Sequence, residues 1–127
     1  MDYFFLIGRI LFGGFFLSSA YGHLVHPGSM VGYAASKRVP SPKLAIIGSG
    51  ILLLLGGLSI ITGIRPALGI AAIVIFLVPV TFSMHDYWRT TDPMAKMGDR
   101  INFMKNLALL GAALMMLAIP TPWMLSF

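Results

Sequence analysis

Long uncharged apolar runs alternate with short polar segments along the chain. No charged residue occurs in residues 44–63 or in residues 67–84. A helix rises about 1.5 Å per residue, so each run is about 27–30 Å long, which matches the roughly 30 Å hydrocarbon core of a bilayer. Only residues 64–66 separate the two runs. Because backbone groups in lipid must be hydrogen-bonded internally, the pattern predicts a hairpin of two transmembrane helices.

Two further apolar runs flank this hairpin, and the first contains a single charge, Arg9. The four predicted spans are residues 3–22, 44–63, 67–85 and 101–119. The predicted fold class is all-α, an integral membrane antiparallel four-helix bundle that forms one domain over residues 1–127.

The segment between the first two spans contains several prolines and glycines, so it does not continue the first helix. Its middle, residues 29–37, is predicted either as a short interfacial helix or as an irregular loop. Met30, Tyr33 and Ala34 share one face in the first alternative.

Small residues and one proline modify the spans. Gly14, Ser18 and Gly22 lie four residues apart in the first span, a spacing typical of close helix packing or of a dimer contact. The second span is also rich in glycine, with a pair at residues 56–57. Pro79 predicts a kink in the third span, and a bend that lines a ligand site is the alternative.

Composition and charge support a membrane protein. Of 127 residues, 57% are hydrophobic and 10% are charged, whereas a soluble domain averages roughly 25% charged residues. The mean hydropathy is +0.88. The net charge of +5 lies mostly in two loops, which indicates membrane topology and no nucleic-acid partner. The absence of cysteine excludes thiol–disulfide exchange and cysteine-ligated metal centres.

The distribution of Lys and Arg predicts the orientation. The first and third loops carry six basic residues: Lys37, Arg38, Lys43, Arg89, Lys96 and Arg100. The opposite side carries Arg65. Since positive loops favour the cytoplasm, both termini are predicted to be extracytoplasmic. Aromatic residues at the span ends, Trp123 among them, are typical of an interfacial belt.

Arg9 is the most informative polar residue, because it lies about 9 Å along the first span. Its guanidinium can reach the interface by snorkelling. Alternatively, it binds a lipid phosphate, a quinone oxygen or a partner's carboxylate. No predicted span contains Asp or Glu, so Arg9 has no buried acidic partner. Arg65 and the end of the fourth span are its expected polar neighbours.

A second polar group lies at the entrance of the fourth span. A helix places Asn102 and Asn106 on one face, with Lys105 beside them. These residues either anchor a helix end to headgroups or form a polar lining that faces His85 and Trp88.

The three histidines give a weaker pattern. His23, His26 and His85, with Asp86, are predicted on the same membrane side, where they are candidates for hydrogen bonding, for a proton relay or for a metal. His26 precedes Pro27, so its backbone is expected to be extended, and no metal site is predicted.

Five stretches, in the right order, resemble the DoxX family of small four-span membrane proteins. They are GRILFGGFFLSSAYGHL, GYAASKRVPSP, GGLSIITGIRPALG, HDYW and NFMKNLALLGAAL. The resemblance implies that six candidate cofactor-binding residues occupy positions of the family pattern: Arg9, His85, Trp88, Asn102, Lys105 and Asn106. The chain departs from that pattern at His23, where members often have Lys, and at residues 52–55, where many carry an acid.

The resemblance also implies a function. Some relatives are subunits of quinone-linked sulfur oxidoreductases, and others look like partners in membrane-bound redox complexes. We therefore expect an accessory subunit of a quinone-linked oxidoreductase complex in a bacterial inner membrane, with a quinone as ligand, lipid around the spans and a membrane or peripheral redox protein as partner. No enzymatic activity is expected of the chain alone. The alternatives are a scaffold or assembly protein and a homo-oligomer that transports a solute.

Overall fold

The protein is built from five α-helices and contains no β-strand. The computed structural model describes residues 1–127, of which 79% are helical. The helices are α1 (Asp2–Val25), α2 (Gly28–Ser36), α3 (Pro42–Thr62), α4 (Pro66–Met84) and α5 (Pro93–Met116), and a 3-10 turn, Tyr87–Arg89, precedes α5. The all-α class is confirmed.

Three segments are long and apolar enough to cross a membrane: α1, α3 and the segment Pro66–Arg89 that contains α4. Helix α5 has 24 residues, as many as α1. Its first half, however, carries the charges of Lys96, Asp99 and Arg100, and Lys105 follows directly. The long helices are compatible with a membrane bundle, and the crossing by residues 101–119 stays a prediction.

Prolines and turn residues set the helix ends. The turn between α3 and α4 is as short as expected, with Gly63 at φ 75° and Arg65 at φ 47°. Only glycine adopts such a φ without a steric cost. Helix α5 begins well before residue 101 because the Asp92 carboxylate caps it, accepting a hydrogen bond of 2.9 Å from the N–H of Ala95.

Helix α3 is the centre of the bundle, since α1, α2 and α4 pack against it and α5 packs on α4. The paired glycines allow these close approaches. A Cβ on Gly57 would lie 2.9 Å from the carbonyl oxygen of Gly13 in α1, and one on Gly56 would lie 2.7 Å from Ile73 in α4. The predicted close packing of the second span is confirmed.

In α1, the packing face lies one residue away from the predicted one. Gly13 contacts α3, whereas a Cβ on Gly14 would meet nothing within 4 Å and Ser18 is exposed. Gly22 faces only Met30 of α2. Gly14 and Ser18 therefore do not make the predicted close helix packing within the chain, whereas Gly22 packs on α2, and the alternative of a dimer contact stays a prediction.

The bundle has two chemically different ends. The terminal end holds the N-terminus, the α3–α4 turn and residues 117–127. The loop end holds α2, the 3-10 turn and the start of α5. Of the two alternatives for residues 29–37, the structure supports the helix, which is α2.

The buried core is apolar and reaches the terminal end, where Trp123 is 2% exposed. Its indole packs edge-to-face on Phe5 at 5.2 Å. The chain after α5 folds back onto the bundle, and the N–H of Phe127 donates to the carbonyl of Thr62 at 3.0 Å. The Trp123 ring is therefore packed inside the bundle, and its predicted position at the level of the membrane interface stays a prediction.

Candidate functional site

A cavity of about 770 Å³ opens at the loop end, with residues from all five helices in its walls. Most of the lining is apolar, including Phe15, Leu52 and Phe76. Pockets for small ligands have volumes of about 300–1,000 Å³ and similarly apolar walls. The cavity is therefore large enough for a small amphiphilic molecule.

The structure brings four of the six candidate residues together in this cavity. His85 lines it from the end of α4, and Asn102, Lys105 and Asn106 line it from α5. Trp88 lies outside the lining, where its half-exposed ring packs edge-to-face on the rings of Tyr87 and Phe103. Arg9 is not part of the cavity either.

Pro79 also lines the cavity, from within the continuous helix α4. The neighbouring hydroxyls bond nearby carbonyls, Thr81 Oγ1 to Leu77 at 2.5 Å and Ser83 Oγ to Pro79 at 2.6 Å. Pro79 is therefore part of the cavity wall, and both the kink and the bend that lines a ligand site stay predictions.

Two polar groups in the cavity have no hydrogen-bond partner in the chain. The Asn106 side chain is 6% exposed, and its amide is unpaired on the cavity wall. His85 lies in a similar position, with its Nδ1 atom buried and unpaired. Because polar groups in such surroundings are normally hydrogen-bonded, the Asn106 amide and the second ring nitrogen of His85, Nε2, are available to a ligand.

The polar side of the cavity is neutral or positive. Lys105 Nζ donates to Asn102 Oδ1 at 3.2 Å and lies 5.4 Å from the ring centroid of Phe15. No Asp or Glu is among the lining residues. A ligand headgroup with oxygen atoms suits this surface better than a cationic one.

A polar network lies beside the cavity at its rim, and Asp99 is at its centre. Tyr33 Oη donates to Asp99 Oδ1 at 2.8 Å, and Thr90 Oγ1 donates to Asp99 Oδ2 at 2.9 Å. Lys37 Nζ lies 2.6 Å from Asp86 Oδ1 and 3.4 Å from Asp99 Oδ2. The network joins α2 to the start of α5 and to the segment after α4.

Opposing effects act on the ionisable groups of this network. Burial raises the pKa of the Asp99 carboxyl, but the hydrogen bonds from Tyr33 and Thr90 and the charge of Lys37 outweigh it, so the pKa is lowered. Burial lowers the pKa of Lys37, but the hydrogen bond to Asp86 and the nearby negative charges raise it overall. Burial and the Asp99 hydrogen bond both raise the pKa of Tyr33. The network therefore favours an ionised Asp99 and a charged Lys37.

Residues 4–86, which are more than half of the chain, match the family model DoxX. The chain belongs to the DoxX family. No curated protein and no solved structure matches it. With its apolar helices, this DoxX protein is an integral membrane protein. The family match ends at Asp86, so the cavity wall from α5 lies outside it.

In this DoxX protein, Arg9 is buried at the terminal end. It is 1% exposed, and each of its side-chain nitrogens is hydrogen-bonded. Nε donates to the carbonyl of Ile60 at 3.0 Å, Nη2 to Ile61 at 2.6 Å and Nη1 to Met124 at 2.6 Å. These contacts replace the snorkelled conformation, and they favour a structural role over a ligand-binding one.

The surroundings of Arg9 differ from those expected. Its guanidinium carbon lies 5.6 Å from the ring centroids of both Phe5 and Trp123. Arg65 is exposed in the α3–α4 turn and is not among the hydrogen-bond partners of Arg9. The segment after the fourth predicted span is a polar neighbour of Arg9 as expected, but it contributes backbone carbonyls and no polar side chain.

The three histidines do not converge. His23 lines the cavity with His85, and its Nδ1 lies 2.7 Å from the carbonyl oxygen of Ser19. His26 is exposed at the end of α1. No group of three or more His, Cys, Asp or Glu side chains is arranged to hold a metal ion.

Sequence reasoning did not select Tyr33, Lys37 or Asp99 as site residues. A signal for Asp99 was present, since Asp92-Pro93 is a typical helix start. A helix that begins there places Asp99, Asn102 and Asn106 on one face, at spacings of about three and four residues. Tyr33 and Lys37 had no comparable signal, because their contacts depend on where α2 packs.

Proposed function

We propose that this DoxX protein is an accessory membrane subunit of a quinone-linked oxidoreductase complex and binds a quinone in the cavity at the loop end. The observation that carries the proposal is the coincidence of apolar walls with unpaired polar groups in one cavity of about 770 Å³. A quinone has the matching chemistry, since it joins a flat ring with oxygen atoms to an apolar tail.

The position of the polar groups supports this ligand class. His85 and the three polar residues of α5 are at one side of the cavity, and the apolar lining continues along α3 and α4. The Asn106 amide can donate to a ring oxygen, and Lys105 adds a positive charge near it. An apolar tail placed along the remaining wall would leave water and add favourable burial.

The proposal assigns electron transfer to a partner. The chain has no cysteine, so neither a dithiol nor a cysteine-ligated cluster can carry electrons through it. A membrane or peripheral redox protein would supply them. With the basic loops in the cytoplasm of a bacterial cell, the cavity opens on that side, and the partner docks there.

Mass spectrometry of small molecules extracted from the protein, purified in mild detergent, tests the proposal. A near-stoichiometric quinone, in its oxidised or its reduced form, is expected in the wild type, and His85→Ala should lower the amount of the reduced form. Gly48→Phe should exclude it, because Gly48 lines the cavity and a Cβ there meets nothing within 4 Å.

Gly8→Phe is the matched control. Gly8 is exposed on α1 outside the cavity, and a Cβ there also meets nothing within 4 Å. It should retain the quinone. Extraction of bilayer lipid alone, or equal quinone in the Gly48 and Gly8 variants, would contradict the proposal.

The alternative function, a membrane scaffold or assembly protein, is favoured by one observation. Gly14 and Ser18 form a small-residue surface on α1 that no part of the chain covers. Such surfaces allow another transmembrane helix to approach closely. Crosslinking in native membranes from cysteines placed at these two positions would return a reproducible partner, or a second copy, if this function is correct.

A further inference from the structure

The two ring nitrogens of His85 have different surroundings. Nδ1 is buried without a hydrogen-bond partner, and the nearest carboxylate oxygen, Asp99 Oδ1, is 3.7 Å away. This distance is too long for a hydrogen bond but short enough for a strong electrostatic interaction. Nε2 has no partner in the chain, so it is the nitrogen left for a ligand in the cavity.

The Asp99 carboxylate determines which nitrogen carries the proton. An unprotonated Nδ1 would direct its lone pair at a carboxylate in a site with little water, whereas an N–H would direct a positive dipole there. Lys105 lines the same cavity, and its charge disfavours a second positive charge on the ring. These charges favour a neutral ring with its proton on Nδ1, so that Nε2 accepts hydrogen bonds.

The orientation of Asp99 is itself fixed. Tyr33 Oη and Thr90 Oγ1 each donate to one of its oxygens, at 2.8 and 2.9 Å. Asp99 is not among the residues that line the cavity. It acts through His85, so it is a positioning residue.

From this geometry we infer that the cavity selects ligands that carry a hydroxyl group, and that Asp99 sets this preference through His85. The inference rests on the proposed function, because it concerns the ligand of the same cavity. A hydroxyl group donates a hydrogen bond to Nε2. A carbonyl or ether oxygen has no hydrogen to donate, so its lone pairs would face the lone pair of Nε2. The Asn106 amide both donates and accepts, so it does not discriminate. A quinol should therefore bind more tightly than the corresponding quinone.

Isothermal titration calorimetry of the full chain in mild detergent tests this preference. The probes are 4-nonylphenol and 4-nonylanisole, which share an apolar tail and differ in the hydroxyl hydrogen. The wild type should bind the phenol about tenfold more tightly, as expected for one buried hydrogen bond that the ether cannot form. A decyl-substituted benzoquinone and its hydroquinone should give the same order.

Asp99→Asn tests whether Asp99 sets the position of the ring proton of His85 or only helps the protein to fold. The asparagine amide donates to Nδ1, which moves the ring proton to Nε2 and should remove or reverse the preference for the phenol. Asp86→Asn is the matched control, since Asp86 belongs to the same network through Lys37, whereas the ion-pair partner of the His85 ring is Asp99. This variant should keep the preference.

His85→Phe provides an independent test if Asp99→Asn does not fold. It should bind the phenol and the anisole equally. Equal binding of the two probes by the wild type, or an unchanged preference in Asp99→Asn or His85→Phe, would overturn the inference and leave the ligand cavity in place. If the wild type binds neither these probes nor the benzoquinone pair, the proposed function fails as well.

Discussion

Arg9 at the terminal end of the bundle and the polar residues of the cavity at the loop end differ in how they are hydrogen-bonded. At the terminal end, each side-chain nitrogen of Arg9 is bonded to a backbone carbonyl. At the loop end, His85 and Asn106 face a cavity without partners. A charge within a membrane span is usually a sign of function. Here a candidate binding residue differs from a structural one less in its charge than in whether its polar atoms lack hydrogen-bond partners within the chain.

The largest effect should come from Arg9. Arg9→Met removes hydrogen bonds to Ile60, Ile61 and Met124 and leaves their carbonyls buried, which should lower the free energy of unfolding by roughly 4 kcal/mol. Thermal unfolding in detergent, followed by circular dichroism, measures the loss. Full stability of Arg9→Met would mean that these bonds contribute nothing and would remove the contrast between the two ends.

The next largest effect on stability should be the difference between alanine substitutions at two glycines of α3. Gly57→Ala places a Cβ 2.9 Å from the Gly13 carbonyl oxygen, so it should cost about 1–3 kcal/mol of stability. Gly48→Ala, on the same helix beside the cavity, meets nothing within 4 Å and should be neutral or slightly stabilising. Unfolding temperatures of the two variants test this, and equal values would show that the loop end is packed as tightly as the middle of the bundle.

The network at the rim should have a moderate effect. Tyr33→Phe removes a hydroxyl that lies 2.8 Å from Asp99 Oδ1 and 3.0 Å from the carbonyl oxygen of Met84, at a cost of about 1 kcal/mol. Tyr21→Phe is the control, because the exposed Tyr21 hydroxyl makes no hydrogen bond. Chemical denaturation in detergent can resolve the difference, and equal midpoints would show that the network does not hold α2 in place.

The smallest effect should be a pH dependence at the loop end. The pKa of Asp99 is lowered in the folded protein, so its ionised form stabilises the fold above the ordinary Asp pKa of about 4. That contribution is lost as the pH falls through the lowered value. When the unfolding temperature is plotted against pH, its decrease at acid pH (the acid limb) should therefore be shallower for Asp99→Asn than for the wild type.

Asp2→Asn is the control for this titration. Asp2 is exposed in the first turn of α1 and takes no part in the network. Its variant should keep the acid limb of the wild type. The opposite pattern, with Asp2→Asn flat and Asp99→Asn unchanged, would place the acid sensitivity at the terminal end.

Much of the architecture was predictable, because hydrophobic runs and prolines act locally. The uncharged run at residues 44–63 and the short turn to the next helix follow from chain length and from the need of backbone groups in lipid for partners. The start of α5 also has a sequence signal, the pair Asp92-Pro93. The low hydropathy of the residues before 101 led to a predicted start that is too late. Local signals therefore predicted the helices better than their exact bounds.

The contacts of individual side chains were less predictable. Whether Arg9 faces lipid, a ligand or carbonyl groups depends on where the chain after α5 returns, and no periodic pattern encodes that return. The same holds for Trp123, whose burial follows from the fold-back. By contrast, Asn102 and Asn106 lie together in the cavity because helical spacing alone places them on one face.

The bonds of Arg9 also bear on how the protein is made. Its partners Ile60 and Ile61 belong to the second span, and its partner Met124 is 115 residues away along the chain. During synthesis, the first helix therefore meets the translocon with a charge that nothing yet compensates. The second span supplies some of the missing acceptors, and the last is translated only after every predicted span. For this arginine, the last hydrogen-bond acceptor is therefore synthesised after all the helices of the bundle.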